Sequence, residues 1–269
     1  MNWVDVIVLG LVQGITEFLP VSSSGHLILF ESWLGVQGIN GLAFDVVLHF
    51  ATIGAVITYF RADIWVLIQV ALRKLGRLPV NQRDITLLYA LLIGTIPAGL
   101  LGLLLESYIS DHLRNPLFVA GILFCASVFF MYAEWRYYLN PKQEELTVKT
   151  GLMIGLYQAL ALMPGMSRSG STIAGGMLLG LSRYEASRFS FLLAIPIIIG
   201  AGLKGLTDLL KETGTVDWLK IGVGSLIAYV TALIVIHYFL RFIRKYTLWP
   251  FVWYGIILAG MVGYVHFFT

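Results

Sequence analysis

Long uninterrupted apolar runs, rather than apolar positions recurring at the spacing of a strand or an amphipathic helix, set the pattern of this chain. A helix needs about 20 apolar residues to cross the hydrocarbon core of a bilayer. Six runs meet or approach that length: Leu42–Phe60, Ile85–Leu105, Leu117–Tyr138, Phe189–Leu203, Leu219–Leu240 and Leu248–Phe268, the fourth being short. Two more stretches, Val4–Leu34 and Thr150–Leu181, are long enough in total to cross once but are interrupted midway. The first interruption reads Glu17-Phe-Leu-Pro20-Val-Ser22-Ser23-Ser24-Gly25-His26, and the second Met163-Pro164-Gly165-Met-Ser167-Arg168-Ser169-Gly170-Ser171-Thr172. Irregular backbone at membrane depth is tolerated only where protein or a water-filled cavity satisfies its polar groups. Both stretches are therefore read as re-entrant helix pairs whose tips meet inside the protein. The expected fold class is an all-α integral membrane protein with six transmembrane helices and two re-entrant helix pairs.

Composition removes the soluble alternatives. The chain of 269 residues is 58% apolar and 12% charged, where a soluble domain averages roughly 25% charged, and its mean hydropathy is +0.83. The net charge of +3 gives no reason to expect a nucleic-acid partner. The single cysteine, Cys125, lies within an apolar run and excludes an internal disulfide framework. The N-terminus lacks the basic start and small-residue cleavage site of a secretory signal, so the whole chain is expected to be retained.

Where the cations fall orients the spans, because cytoplasmic loops are enriched in Lys and Arg. Thirteen of the 18 fall on one face: Arg61, Arg73, Lys74, Arg77 and Arg83; Arg136, Lys142 and Lys149; Arg183 and Arg188; Arg241, Arg244 and Lys245. The other face has four, Arg114, Lys204, Lys211 and Lys220, and Arg168 alone lies within a break. This split places both termini outside. Trp3, Trp33, Trp65, Trp135, Trp249 and Trp253 cluster near the predicted ends, as an aromatic belt would.

Shifting the chain by 145 residues lays one broken stretch on the other. Gly10-Leu11 and Gln13 fall on Gly155-Leu156 and Gln158, Ser22, Ser24 and Gly25 on Ser167, Ser169 and Gly170, Ile28 on Ile173, and Leu34-Gly35 on Leu179-Gly180. The single membrane domain, 1–269, thus divides into repeat one, 1–140, and repeat two, 141–269, each a re-entrant pair plus three spans. An odd number of crossings inverts the second copy relative to the first. Inverted-topology repeats with discontinuous helices usually place their site near the midplane, at the repeat interface. The predicted pocket is shared by Gln13–His26 and Ser167–Thr172.

Ionisable groups at that depth are costly and are read first as functional. Gln13 and Glu17 are i, i+4 neighbours whose oxygens face one way on a helix, and with water they could hold a hard divalent cation, Mg²⁺ or Ca²⁺. Glu17 could also act directly as an acid or base; the alternative is that it only pairs with Arg168 or caps the break. The planar fork of Arg168 suits a phosphate or carboxylate. The Ser/Gly residues and the positive ends of two half-helices complete an anion site, against a purely packing role for the small residues. Ser23 and His26, three residues apart, are a candidate nucleophile and base, against a histidine that merely ties the loop down. Asp45 and His49, i, i+4 near the outer end of a span, support either a network behind the site or interfacial capping. Glu134 is expected to pair with Arg136 or to reach the interface, and His237 and His266 to be interfacial.

These motifs carry a family resemblance. Gln13-Gly-Ile-Thr-Glu17-Phe-Leu-Pro-Val-Ser-Ser-Ser-Gly-His26 and Pro164-Gly-Met-Ser-Arg-Ser-Gly-Ser-Thr172 resemble the paired motifs of the bacterial undecaprenyl-diphosphate phosphatases of the bacitracin-resistance type. The similarity runs over essentially the whole chain, including Gly-Leu-Ser-Arg-Tyr-Glu-Ala-Ser-Arg-Phe-Ser-Phe-Leu-Leu-Ala at 180–194. It implies a multi-pass enzyme of the bacterial inner membrane that cleaves undecaprenyl diphosphate to undecaprenyl phosphate and phosphate. That reaction recycles the lipid carrier for peptidoglycan synthesis and gives bacitracin resistance. It further implies a divalent cation and a site facing the periplasm, and leaves a homodimer open. Many relatives carry Glu where this chain has Gln13; an amide still ligates through its carbonyl but removes one negative charge.

The expected mechanism places the diphosphate between the breaks. Arg168 clamps it with Ser22, Ser24, Gly25, Ser167, Ser169, Gly170 and Thr172, and a cation on Glu17 and Gln13 neutralises it. Ser23 attacks phosphorus with His26 as base and then acid, or His26 attacks itself. The alternative class is a polyprenyl-phosphate flippase, alone or in addition to hydrolysis, because inverted repeats with broken helices are typical of transporters.

Overall fold

The computed structural model describes residues 1–36, 39–113, 115–141, 144–211 and 217–268, and within them all side chains but those of 39–43, 106–107, 110–111, 204–211 and 268. Arg114 and Lys142 of the orientation argument, and the side chains of Lys204 and Lys211, lie outside the described residues. Among the described residues there are eleven helices and no strand. They are α1 (Trp3–Thr16), α2 (Ser23–Leu34), α3 (Ile39–Tyr59), α4 (Arg61–Leu75), α5 (Gln82–His112), α6 (Pro116–Leu139), α7 (Val148–Leu160), α8 (Arg168–Leu178), α9 (Arg183–Lys211), α10 (Trp218–Ile243) and α11 (Trp249–Phe268). Five of them, α5, α6, α9, α10 and α11, are long and apolar enough to cross a membrane, and six do so if α3 and α4 form one bent span.

Two elements differ from the sequence reading. The basic segment beyond Phe60, read as a loop, is the helix α4, bent by 80° from α3. Its exposed Trp65, Leu72 and Leu75 alternate with Arg73 and Lys74, a mixture that a search for uninterrupted apolar runs passes over. The short fourth run sits inside the much longer α9, because the helix begins in the polar stretch at Arg183. Arg183 and Arg188 are accommodated there by ion pairs with Glu134 and Asp63.

Both broken stretches are two helices joined by an irregular turn, and the two turns are built alike. Ser22 and Ser167 each sit at the N-cap with a left-handed backbone, φ 69° and 63°. Such a conformation is uncommon for a residue with a Cβ and is kept only where its surroundings over-determine it. The compensation is local: Ser22 Oγ accepts from the Gly25 amide at 3.3 Å, and Ser167 Oγ accepts from the Gly170 amide at 3.1 Å. Each serine thereby satisfies one of the amides that a helix start leaves without a partner.

Packing brings the two turns together. The helix α1 lies along α10 and α7 lies along α5, while α3 packs on α9 and α6 on α11. The first two contacts share one device: a Cβ on Gly10 would stand 2.9 Å from the Gly224 carbonyl oxygen, and one on Gly155 only 2.2 Å from that of Gly94. Backbones approach this closely only through small residues, which is how helices pack where lipid supplies no hydrophobic drive. Phe18 of the first turn is fully buried against Phe191 of α9, ring centroids 5.1 Å apart. The core formed around α3, α9 and α10 thus fixes the depth of that turn.

Candidate active site

Glu17 is the hub of the site. It caps the C-terminus of α1, its amide bonded to the Gln13 carbonyl at 3.0 Å, and it is 6% exposed. Its Oε1 accepts from Arg168 Nη2 at 2.7 Å, across the two turns. Its Oε2 accepts from Ser23 Oγ at 2.6 Å and from Gln13 Nε2 at 2.9 Å. His49 Nε2, from α3, stands 3.4 Å from the same oxygen. One carboxylate therefore gathers side chains from α1, α2, α3 and α8. A buried charge persists only with such partners, since desolvation would otherwise neutralise it or destabilise the fold.

The second turn is anchored behind Arg168. Ser169 Oγ donates to the Leu19 carbonyl at 2.8 Å, which ties one turn directly to the other. Arg168 Nη1 donates to the Ser190 carbonyl at 3.3 Å, and its guanidinium lies 6.0 Å from the centre of the Phe18 ring. Thr172 Oγ1 bonds to Ser190 Oγ at 2.6 Å and to the Arg168 carbonyl at 2.8 Å. Glu17, Gln13, Ser167, Ser169 and Thr172 are buried, whereas Ser23, Ser24 and Arg168 are partly open. A ligand reaching this site meets two hydroxyls and a guanidinium first.

His26 faces elsewhere. Its Nδ1 is 2.8 Å from the Ser22 carbonyl and its Nε2 is 2.7 Å from the hydroxyl of Tyr254, on α11. Ser23 therefore rests on Glu17, while His26 rests on Tyr254. The glycines of the motifs serve packing: a Cβ on Gly170 would stand 2.2 Å from the Phe130 ring, and one on Gly25 3.1 Å from Val119. The amides of Gly25 and Gly170 are taken by the N-cap serines, and that of Ser171 by the Ser167 carbonyl.

The sequence profile described as bacitracin resistance protein BacA matches residues 6–261. The chain belongs to the bacitracin resistance protein BacA family. Among curated relatives of like length, undecaprenyl-diphosphatase of Nitrosococcus oceani is 42% identical over 98% of this chain and 99% of its own. Undecaprenyl-diphosphatase of Colwellia psychrerythraea is 44% identical over 98% and 100%, and that of Hahella chejuensis 44% identical over 99% and 99%.

In this member of the BacA family, Gln13, Ser23 and Arg168 converge on the Glu17 carboxylate, with Ser169 and Thr172 directly behind them. His49, weighed in the sequence between a network and a cap, reaches Glu17 through Nε2 while its Nδ1 bonds the Asp45 carbonyl at 2.8 Å. Glu134 does not pair with Arg136. It is 2% exposed and accepts from Arg183 Nε at 2.9 Å and from the Leu248 amide, at the start of α11, at 2.6 Å. The reason is helical geometry: residues two apart face opposite sides, so Glu134 turns inward while Arg136 turns out. Tyr254 and Ser190 were missed altogether. The repeat held a signal for one of them, since the shift of 145 residues that pairs the turns also lays Phe44-Asp45 on Phe189-Ser190.

Gln13 bears on the expected cation. Its Nε2 is spent on Glu17, but its Oε1 is buried without a hydrogen-bond partner. An orphaned carbonyl beside a carboxylate fits a hard cation, which takes oxygen ligands. Among the described residues no group of three or more His, Cys, Asp or Glu side chains is placed to hold a metal. Any ion bound here would draw the rest of its shell from water and from the ligand.

Proposed function

We propose that this chain hydrolyses undecaprenyl diphosphate to undecaprenyl phosphate and phosphate, as the names of its relatives describe them. The observation that carries the reading is the convergence of Ser23, Glu17 and Arg168 from opposite turns, at 2.6 and 2.7 Å. Phosphoryl transfer asks mainly for positioning and charge stabilisation, and a partly open guanidinium beside a hydrogen-bonded hydroxyl supplies both. The apolar exterior suits the substrate, whose prenyl chain stays in the bilayer while the diphosphate enters the protein.

The terminal phosphoryl group docks on Arg168 and the neighbouring hydroxyls. Ser23 Oγ attacks the terminal phosphorus as the bond from that phosphorus to the bridging oxygen breaks, and undecaprenyl phosphate leaves. The proton of Ser23 passes to Glu17 Oε2, which already accepts its hydrogen bond; the sequence alone gave that part to His26. Water then clears the phosphoserine, releasing phosphate and restoring Ser23. Direct attack by His26 is the competing route. Glu17 and the free Oε1 of Gln13 would hold a Mg²⁺ or Ca²⁺ ion, which when bound supplies neutralising charge to the diphosphate.

The membrane arrangement we infer is six spans and two re-entrant pairs in an inverted repeat, within the bacterial inner membrane. The site faces the periplasm and both termini lie outside. Its support is the matched turns at Ser22 and Ser167 and the matched glycine contacts of α1 with α10 and of α7 with α5. The deciding experiment is phosphate release from undecaprenyl diphosphate by the purified protein in detergent, with and without chelator. Release that stops with the chelator and returns with Mg²⁺ or Ca²⁺ is expected. Lipid movement in sealed vesicles with no phosphate release in detergent would make the protein a carrier instead.

A further inference from the structure

His26 is the motif residue that the cluster around Glu17 does not absorb, and its surroundings define its chemistry. The residue is 4% exposed. Nδ1 lies 2.8 Å from the Ser22 carbonyl, which can only accept, so Nδ1 carries the hydrogen. In the neutral ring Nε2 is then the atom with the lone pair, and it lies 2.7 Å from the Tyr254 hydroxyl, which donates to it. The two rings are stacked as well, 10° from parallel with centroids 5.6 Å apart. The left-handed turn at Ser22, φ 69°, is what presents that carbonyl to the imidazole one turn further on. Tyr254 is half exposed, at 45%, on the last helix of the chain, so the second repeat completes the setting of a residue in the first.

We propose that Tyr254 is a positioning residue for the hydrolysis: with the Ser22 carbonyl it fixes His26 in the Nδ1–H tautomer and keeps Nε2 an unprotonated acceptor until polar groups of the substrate complex replace the phenol. The inference rests on the phosphatase reading above. It holds for either part His26 can play there. A base for the water that clears phosphoserine and a direct nucleophile both need a lone pair on Nε2, and neither works through the opposite tautomer. The Ser22 carbonyl, on the other nitrogen, sets the tautomer, and Tyr254, bonded to Nε2 and stacked on the ring, holds the imidazole in place with that lone pair occupied by a donor.

The test is Tyr254→Phe, which keeps the stacked ring and removes only the hydroxyl, assayed for phosphate release from undecaprenyl diphosphate in detergent. The expected result is a kcat at least about tenfold below the parent with KM within about twofold, because substrate binding belongs to the Arg168 cluster. The variant should elute and melt as the parent does. A parental kcat in Tyr254→Phe, beside an active parent, overturns the inference, and so does a loss carried by KM with kcat unchanged. An inactive parent instead overturns the phosphatase reading and leaves a direct measurement to decide this one. In the parent protein labelled with ¹⁵N-histidine, and with the His26 signals assigned by their loss in His26→Gln, Nδ1 is expected to be protonated and Nε2 to be a hydrogen-bonded acceptor. A His26 protonated on Nε2 alone overturns the proposal whatever the activity.

Discussion

At the scale of single residues the site turns on how one buried carboxylate is shared. Oε1 of Glu17 answers Arg168 and Oε2 answers Ser23 and Gln13, so the acid holds the proposed nucleophile and the proposed anion clamp in one frame. Glu17→Gln keeps the shape and an acceptor for Ser23 but cannot take its proton; phosphate release is expected to fall by about 10²- to 10⁴-fold. Ser23→Ala should lose about as much, and the double variant little more than either single one, because residues that act as a unit are not additive. A double variant whose losses multiply would separate the two residues. Arg168→Gln is expected to weaken activity by about 10²-fold or more through lost charge stabilisation. It should also lower the melting temperature, since it leaves the Glu17 charge buried and unpaired. Glu17 and Arg168 were readable in the sequence because ionisable groups are scarce in so apolar a chain. Tyr254 was not, and for His49 the sequence left a network behind the site and interfacial capping both open: each meets its partner from a different helix, His49 from α3 and Tyr254 from α11, and only the tertiary packing supplies the contact.

Among the elements, the two irregular turns matter most, and what they require is room. Ser22 and Ser167 hold their left-handed conformations with their own hydroxyls, and the glycine three residues on lets a neighbour approach. Gly170→Ala would drive a methyl to 2.2 Å from the Phe130 ring, which is itself 1% exposed and has little space to yield. The expected cost is about 1–3 kcal/mol, seen as a lower melting temperature. Gly25→Ala meets its neighbours at 3.1 Å or more and should cost less. Equal melting temperatures for the two variants would show that the second turn is not packed as described. The two breaks and most spans were evident in the apolar pattern, because interruption by Pro, Gly and Ser has a physical cause that needs no tertiary knowledge. The pattern could not show α4 or the true start of α9, since both mix charge with apolar residues and depend on ion pairs made elsewhere, Arg188 with Asp63 and Arg183 with Glu134.

For the whole molecule, the re-entrant reading makes a prediction that a simple crossing does not share. If α1 and α2 enter and leave on one face, Asn2 and the start of α3 lie on the same side, and the three spans α3, α5 and α6 then put Thr147 on the opposite side. If the first pair instead crosses the bilayer once, four crossings separate Asn2 from Thr147 and the two share a side. The same contrast applies to the second pair, with Thr147 and Ser182 on one face if it is re-entrant and on opposite faces if it crosses. Single cysteines at Asn2, Thr147 and Ser182, in a chain whose exposed Cys125 has been replaced by Ser, can be probed with a thiol reagent that does not cross membranes. Labelling is expected at Asn2 in intact cells stripped of any outer membrane, and at Thr147 and Ser182 only after permeabilisation. Asn2 and Thr147 labelled together from either side would overturn the inverted repeat while leaving the Glu17 cluster intact. The site would then be an anion pocket between two ordinary broken spans, and the placement of the cations would need another explanation. The expected pattern follows from the thirteen cations that face the cytoplasm in the re-entrant arrangement, since cytoplasmic loops retain Lys and Arg. It also turns Ser23 and Arg168 toward each other from opposite leaflets, which is the geometry a diphosphate drawn from the bilayer would meet.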